Sequence, residues 1–405
     1  MTIDTNLERH GLAPNRNVQV DVQKHEITNS LNAFTPVTSE RNVWFFWDKG
    51  FEAMPPWIQR SVINCVKRHD KSWTFRLLNL IPNSPNHVLN YVKENDLPAT
   101  AINGQMIHAH AGQHISDFVR LAVVYSYGGI YIDAGMIVFR DLDEICWGAL
   151  MDPNCPYEAA LIAYAGDGPY KTLNGFIAAR KQNPFLYRAK QVFLRMWEGR
   201  THPAGLHAHP LVRHLPLTRV DSPAFPDNAD WAGFTDYLSQ TQVFKRVRLN
   251  REPGPNGFDG PAYFREHVMS IDAFTEMCRN MPFGSEERNL QLLLSPRTEL
   301  QSSDISTDNR GNKEEASQLV HDLLANSAMW KCPSGVARFG NMTTLAQYWN
   351  RPGHTDDDCR PGTWGEYLRY GSVYFRQLRP APIPVKAPKD THDITEVGLY
   401  EPVLG

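Results

Sequence analysis

The stretch that decides the fold is HISDFVR, residues 114–120, followed by YGGIYID, residues 127–133. Apolar residues between Phe118 and Tyr125 recur at the spacing i, i+3, i+4, i+7, which predicts a helix with one buried face. Ser116 is a suitable cap for the start of that helix. The double glycine ends it, and a short strand follows at 130–132. Asp133 therefore stands at the carboxyl end of a strand, where open α/β sheets bind their ligands.

The flanking sequence predicts more units of the same kind. An apolar run at 43–47 is closed by Asp48-Lys49-Gly50 and reads as a buried strand and a turn. A helix opens near Pro56, and a second strand is predicted at 74–78. This strand-helix-strand order favours parallel pairing. The sequence thus predicts an α/β fold with a mostly parallel sheet flanked by helices, in a single large domain with a C-terminal extension.

The chain divides into three predicted parts. Residues 1–40 lack periodicity and are predicted to form a polar N-terminal tail. Residues 41–270 are expected to form the α/β core. Residues 271–405 are expected to pack on that core, with a mobile loop near 302–313 because that segment is polar.

Composition limits the classes of function. The formal net charge is −3, which does not suggest a general nucleic-acid binder. The most apolar stretch, 118–139, is interrupted by charged residues and glycines, so we predict no membrane span and no membrane partner. The six cysteines are far apart and the N-terminus does not resemble a signal peptide. We therefore expect reduced thiols and a cytoplasmic location.

Two side chains on the predicted helix are candidates for ligand binding. Asp117 and Arg120 are three residues apart, so both can point the same way. A carboxylate beside a planar guanidinium suits a ribose hydroxyl and a phosphate. The alternative is an ion pair on the helix surface, which would contribute little.

The remaining polar candidates also have two interpretations. Asp133 is either a functional carboxylate or a turn residue that binds backbone N–H groups. His108, His110 and His114 form a short run. A zinc site would need a fourth ligand and a tighter arrangement, so a polar loop near the cleft is the simpler interpretation. One of these histidines could act as a general base, since imidazole titrates near neutral pH.

The motifs at 114–120 and 127–133 resemble the signature of the capsular-polysaccharide and mannosyl-type glycosyltransferases. Residues 44–50 and 174–184 also fit that family, and residues 359–371 resemble the C-terminal block of its fungal branch. The resemblance implies a GT-A-like, Rossmann-like fold. It also implies that Asp117 and Arg120 face a nucleotide and that Asp133 is the first carboxylate of a metal-binding Asp-x-Asp motif.

This sequence departs from the motif, because Gly135 replaces the second carboxylate. One carboxylate is a poor anchor for a hard divalent cation, which prefers several oxygen ligands. The fungal branch that this chain resembles also includes arginine-containing cyclodipeptide synthases, which use an activated aminoacyl ester and need no metal. The expected function is therefore cyclodipeptide synthesis in secondary metabolism from arginyl-tRNA and a second aminoacyl-tRNA, without a cofactor.

Under this interpretation one carboxylate would grip the substrate guanidinium and a histidine would be the base. The basic segments 67–71 and 245–251 would bind tRNA, although such runs are usually only solvated faces. The alternative is a GT-A-type glycosyltransferase that uses a nucleotide sugar and a divalent metal. The candidate catalytic residues are Asp133, His114 and His110, and the candidate substrate-binding residues are Asp117, Arg120, Trp47 and Tyr131.

Overall fold

The computed structural model describes residues 7–164, 170–279, 284–297, 307–332, 335–386 and 394–403. Its strands are β1 (Leu12–Pro14), β2 (Asn42–Phe46), β3 (Thr74–Leu78), β4 (Gly129–Ile132), β5 (Met136–Val138), β6 (Ala159–Tyr164), β7 (Lys171–Ala179), β8 (Asn250–Arg251), β9 (Val268–Asp272), β10 (Met329–Lys331), β11 (Phe375–Gln377) and β12 (Thr395–Glu396).

The α-helices of the described ranges lie between and after these strands. They are α1 (Lys24–Asn32), α2 (Pro56–Arg68), α3 (Ala99–Ile102), α4 (Ala111–Tyr127), α5 (Gly148–Met151), α6 (Pro184–Met196), α7 (Trp231–Tyr237), α8 (Ser239–Leu249), α9 (Gly260–His267), α10 (Ala273–Glu276), α11 (Glu286–Leu294), α12 (Thr307–Asn326), α13 (Leu345–Trp349) and α14 (Trp364–Tyr374).

The central sheet has six strands in the order β3-β2-β4-β7-β6-β9. The pairs β3–β2, β2–β4 and β6–β9 are parallel, whereas β7 pairs antiparallel with both of its neighbours. Only β7 is therefore reversed. The predicted α/β fold with a mostly parallel sheet is confirmed.

Both faces of this sheet are covered. Along β2, the side chains of Val43 and Phe45 enter one core, and those of Trp44 and Phe46 enter the other. Alternate residues of a strand point to opposite faces, so an unbroken apolar run is what a strand buried on both sides requires. Helices α4, α6 and α8 pack on one another over the Trp44 face, and α2, α12 and α14 do so over the Val43 face. The result is a three-layer α/β structure.

The two ends of the described chain join the same structure. Strand β1 pairs antiparallel with β11, so Ala13 lies opposite Arg376. In α1, Ile27 and Leu31 are one helical turn apart and are buried in the first core. The polar tail predicted for residues 1–40 is thus replaced, from residue 7 onward, by ordered elements. The few apolar residues of this segment are buried against parts of the protein that are distant in the sequence.

Strand β10 attaches the C-terminal region beside the carboxyl end of the sheet. It pairs antiparallel with β5, and Lys331 lies opposite Met136. Of the loop predicted at 302–313, residues 302–306 lie outside the described residues and residues 307–313 form the start of α12. The division of the chain at residues 41 and 271 stays a prediction.

Two further details concern the helices. Helix α4 begins at Ala111 rather than near Ser116, whose hydroxyl lies inside the helix and donates to the carbonyl oxygen of Gln113 at 2.7 Å. Across the described ranges, none of the helices combines the length and the apolar character needed to cross a bilayer.

Gly129 is the position where the sheet least tolerates a side chain. Its φ is +100°, and an added Cβ would overlap the backbone carbonyl of Asn42 on the neighbouring strand β2. We expect Gly129→Ala to lower the free energy of unfolding by about 3 kcal/mol, from backbone strain and overpacking together. Urea denaturation measures this as a lower midpoint at an unchanged slope.

Gly104→Ala is the matched control. Gly104 also has a positive φ, +65°, but an added Cβ there meets no atom of the described residues within 4 Å. We expect a loss of only about 1 kcal/mol, from strain alone. Equal losses for the two variants would contradict the close approach of β4 to β2.

Candidate active site

A buried guanidinium connects the two predicted carboxylates. Nη2 of Arg120 lies 3.2 Å from Oδ1 of Asp117 and 3.1 Å from Oδ1 of Asp133. The Arg120 side chain is only 4% exposed and stacks on the ring of Tyr131, with its Cζ 4.6 Å from the ring centroid. The ion pair predicted between Asp117 and Arg120 therefore exists, but it lies inside the molecule rather than on the helix surface.

A second cation binds the other oxygen of Asp133. Nζ of Lys331 donates to Oδ2 of Asp133 at 2.7 Å. Burial alone would raise the pKa of the Asp133 carboxyl, but Lys331 and Arg120 outweigh burial and hold that pKa below its ordinary value. Asp133 is therefore a carboxylate at neutral pH and a poor proton acceptor.

A glycine of strand β7 makes room for this pair. An added Cβ at Gly175 would lie 2.6 Å from Nζ of Lys331 and 2.7 Å from Oδ2 of Asp133. The carbonyl oxygen of Gly175 also accepts the backbone N–H of Asp133 at 2.8 Å. The bare backbone of β7 thus sets the position of Asp133 and leaves space for the ammonium group.

Polar side chains fix the other end of the cluster. The amide nitrogen of Asn174 donates to Oδ1 of Asp117 and to Oε1 of Gln240, both at 3.0 Å. Gln240 in turn donates to the backbone carbonyl of Asp117 at 2.6 Å. Arg120 donates to the carbonyl oxygen of Asn174 and, at 2.6 Å, to the hydroxyl of Ser116. Buried charges need such partners, so this network keeps the cluster in one geometry.

The two aromatic candidates occupy different positions. Tyr131 lies inside β4, where its ring supports Arg120 and burial raises the pKa of its hydroxyl. It is 1% exposed, so it supports the site from beneath and is not positioned to touch a ligand. Trp47 follows β2 at the same end of the sheet and is partly exposed. Trp47 stays a prediction as a substrate contact.

The three histidines form a cluster beside the acidic network. The ring centroids of His108 and His114 are 5.3 Å apart, and that of His110 lies 5.2 Å from the Tyr237 ring. Nδ1 of His114 is 3.6 Å from Oδ2 of Asp117. Burial and the neighbouring histidines lower the pKa of His108 to about 4. Burial, Arg338 and His114 lower the pKa of His110. His108 and His110 are therefore uncharged at neutral pH.

The residues present do not fit a metal bridge of the Asp-x-Asp kind. Gly135 contributes no carboxylate, and an added Cβ there would lie 3.1 Å from the Trp57 ring. Each oxygen of Asp133 already contacts a cationic side chain. Across the described ranges, no group of three acidic, histidine or cysteine side chains is arranged to hold a metal ion. Under the metal-dependent interpretation, Asp133 would have to release Lys331 first.

The structure brings together most of the residues singled out from the sequence. Asp117, Arg120 and Asp133 share one cluster, and His114 adjoins it. Sequence reasoning missed Lys331, whose only local signal is a lysine directly after the buried Ala328-Met329-Trp330 run. It also missed Asn174 as a partner of Asp117. Which of these residues act on a substrate stays a prediction.

The basic segments predicted to bind tRNA are only partly exposed. In segment 67–71 and in segment 245–251, four of the basic side chains are buried, and these are Arg68, His69, Arg246 and Arg248. Their polar groups bind partners inside the molecule. Arg68, for example, donates to the carbonyl oxygens of Ser372 at 2.8 Å and Phe375 at 2.9 Å.

The carboxylate fork predicted for a substrate arginine is likewise occupied. Arg120 of the chain itself lies between Asp117 and Asp133. A substrate guanidinium would have to displace a buried side chain from both partners.

Comparison with known proteins finds relatives that match nearly the whole chain. The family model described as capsular polysaccharide synthesis protein matches residues 6–204. The chain is 37% identical to the O-glycosyltransferase braB of Annulohypoxylon truncatum, over 93% of this chain and 90% of that protein. It is also 37% identical to the glycosyltransferase afumC of Aspergillus fumigatus, over 93% of this chain and 96% of that protein.

The apo structure of the bifunctional glycosyltransferase WbbM is a distant structural neighbour. The match covers 84% of this chain and 53% of the WbbM chain, with 11% sequence identity and a TM-score of 0.35.

The predicted cyclodipeptide synthesis from aminoacyl-tRNA is wrong. The curated relatives that match nearly the whole chain are named glycosyltransferases, so the alternative interpretation is the better one. The second carboxylate missing at Gly135 favours acyl transfer when the motif is considered alone, but in the structure Lys331 of a distant strand binds the carboxylate that remains, Asp133. The chain belongs to the capsular-polysaccharide-synthesis-like family of glycosyltransferases and is a transferase.

Proposed function

We propose that this protein transfers a sugar from a nucleoside diphosphate sugar to a hydroxyl oxygen of an acceptor molecule. The observation that carries the proposal is the charged cluster of Asp117, Arg120, Asp133 and Lys331 at the carboxyl end of the central sheet. Open α/β sheets bind ligands at that edge. The name of the relative braB, an O-glycosyltransferase, supports an oxygen acceptor.

The cluster suits a donor that carries both hydroxyl groups and negative charge. Asp133 is 25% exposed and presents a carboxylate that can accept hydrogen bonds from sugar hydroxyls. Lys331 beside it is 29% exposed and supplies positive charge for a phosphate. Because Arg120 and Asn174 hold the cluster from behind, these groups are oriented before the donor binds.

The reaction forms one bond and breaks one. The acceptor oxygen attacks the anomeric carbon, and the bond from that carbon to the diphosphate oxygen breaks. The electron pair of the broken bond leaves with the nucleoside diphosphate. The proton of the acceptor hydroxyl must pass to a base. Asp133 is a poor base, because two cations hold its pKa below the ordinary value.

His110 is the base in this proposal. It lies directly before α4 and is partly exposed, whereas His114 is buried at 1% exposure. Its pKa is lowered by burial, Arg338 and His114, so the ring is neutral and able to accept a proton at neutral pH.

If the protein transfers a sugar, cleavage of the nucleotide sugar should depend on Asp133. With a panel of UDP- and GDP-hexoses and a mixture of polyhydroxylated aromatic acceptors, we expect one donor to yield nucleoside diphosphate and an acceptor heavier by one hexose. Asp133→Asn should lower kcat by at least about 100-fold, because it removes the charge that orients both cations. Coupled nucleotide release and mass spectrometry measure these products.

Asp227→Asn is the control for this assay, since Asp227 is an exposed carboxylate and lies outside the cluster. It should retain wild-type kcat. Equal release by the wild type and Asp133→Asn for every donor, with Mg²⁺, with Mn²⁺ and in EDTA, would rule out the proposal.

The role of His110 predicts a loss in rate rather than in donor binding. His110→Gln should lower kcat by about 10²–10⁴-fold while the donor KM changes little. Wild-type kcat/KM should fall only below pH 6.5, since a base whose pKa is lowered in the free protein is protonated only at lower pH. This acid limb should vanish in the variant. His25→Gln, at an exposed position of α1, should keep both the rate and the pH profile; an unchanged profile in His110→Gln would assign the base elsewhere.

A further inference from the structure

We infer that Lys331 takes the place of a divalent metal ion and binds the diphosphate of the donor directly, so that transfer is independent of metal. The inference rests on the proposed function. The two cations of the cluster differ in how far a ligand can reach them.

Arg120 is shielded from a ligand by burial and by its partners. Its guanidinium contacts Asp117, Asp133, both oxygens of Ser116 and the carbonyl of Asn174, and its side chain is 4% exposed. Arg120 is therefore a positioning residue that holds the two carboxylates.

Lys331 is different. An ammonium group has three N–H donors. Within the described part of the chain, that of Lys331 makes one hydrogen bond, to Asp133. Its side chain is 29% exposed, so its remaining donors can reach a ligand in the cleft. Ammonium groups bind phosphate as point charges and need no fork geometry.

The neighbouring glycines leave space for the lysine side chain but provide no ligand for a metal ion. Gly175 leaves the volume that Nζ of Lys331 occupies, since any side chain there would collide with it. Gly135 lacks the second carboxylate that would help to anchor a divalent ion. A metal on Asp133 would also have to share an oxygen with the ammonium, and the two cations would repel each other.

The backbone position of Lys331 is fixed by the pairing of strand β10 with strand β5. Strand β10 pairs with β5, which puts Lys331 opposite Met136, three residues after Asp133. The backbone N–H of Lys331 also donates to the carbonyl oxygen of Met277 at 3.4 Å. The ammonium is thus held at the carboxyl end of β4 before a donor arrives.

In the transfer step this ammonium group compensates the negative charge of the leaving nucleoside diphosphate. As the bond between the anomeric carbon and the diphosphate oxygen breaks, negative charge grows on the phosphate. The ammonium group of Lys331 stabilises that charge, and no further reactant is required.

Calorimetric binding of nucleosides and nucleotides tests the inference without a known acceptor. UDP, GDP, ADP and dTDP are titrated into the intact, metal-stripped protein in EDTA and again with Mg²⁺ or Mn²⁺. We expect at least one of them to bind in EDTA, with a Kd that changes less than twofold on adding metal. Lys331→Gln should weaken that Kd about 10- to 100-fold, the effect of one charge-assisted hydrogen bond.

A nucleoside arm separates direct contact with phosphate from a structural effect. Binding of the matching nucleoside, which lacks phosphate, should be unchanged in Lys331→Gln. Lys331→Arg, which keeps the charge, should retain more diphosphate affinity than Lys331→Gln. Lys181→Gln removes an exposed lysine just after β7, at the opposite end of the sheet, and should behave as wild type. Thermal unfolding of each variant checks that it is folded.

The failures are distinguishable. A Kd that tightens more than threefold with metal would overturn the role of Lys331 and leave the proposed sugar transfer in place. An equal loss of nucleoside and diphosphate affinity in Lys331→Gln would also overturn it. If no nucleoside diphosphate binds under either condition, the proposed function falls together with the inference.

Discussion

The carboxylate of Asp133 between Arg120 and Lys331 is the interaction on which the candidate site depends. The three residues come from α4, from the end of β4 and from β10, and Lys331 is 198 positions away from Asp133 along the chain. Their meeting requires the central sheet, the packing of α4 over it and the pairing of β10 with β5. A local rearrangement in any of these elements would leave a charge without its partner in a largely buried place.

The cluster is electrically balanced, and this balance decides what it can do. Asp117 and Asp133 contribute two negative charges, and Arg120 and Lys331 contribute two positive ones. A buried charge is tolerated only when it is paired and hydrogen-bonded, which explains the supporting contacts of Asn174. The unliganded cluster is therefore neutral. A diphosphate that approaches its exposed side meets the ammonium rather than the guanidinium.

The sequence predicted those parts of the fold that depend on local patterns. The apolar run at 43–47 and the double glycine before Asp133 indicated β2 and β4, because burial on both faces and a sharp turn leave strong signals. The basic runs at 67–71 and 245–251 predicted an exposed surface, but a run of charged residues in the sequence does not reveal which side chains are buried. Arg68 and Arg246 are buried because backbone carbonyls of distant segments accept their hydrogen bonds. The helix and strand of the N-terminal segment also depend on distant parts of the chain, so the local sequence pattern did not predict them.

The missing carboxylate at Gly135 shows why a motif must be judged with its spatial neighbours. Considered alone, the change from Asp-x-Asp to Asp-Ala-Gly removes half of an anchor for a cation and made another chemistry attractive. In the folded protein a cation already contacts Asp133, because strand β10 brings Lys331 beside that carboxylate. A bound diphosphate needs compensating positive charge, and in the inference drawn above the ammonium group of Lys331, placed by the pairing of β10 with β5, supplies it. The loss of one acidic side chain and the presence of Lys331 are therefore best understood as two parts of one arrangement.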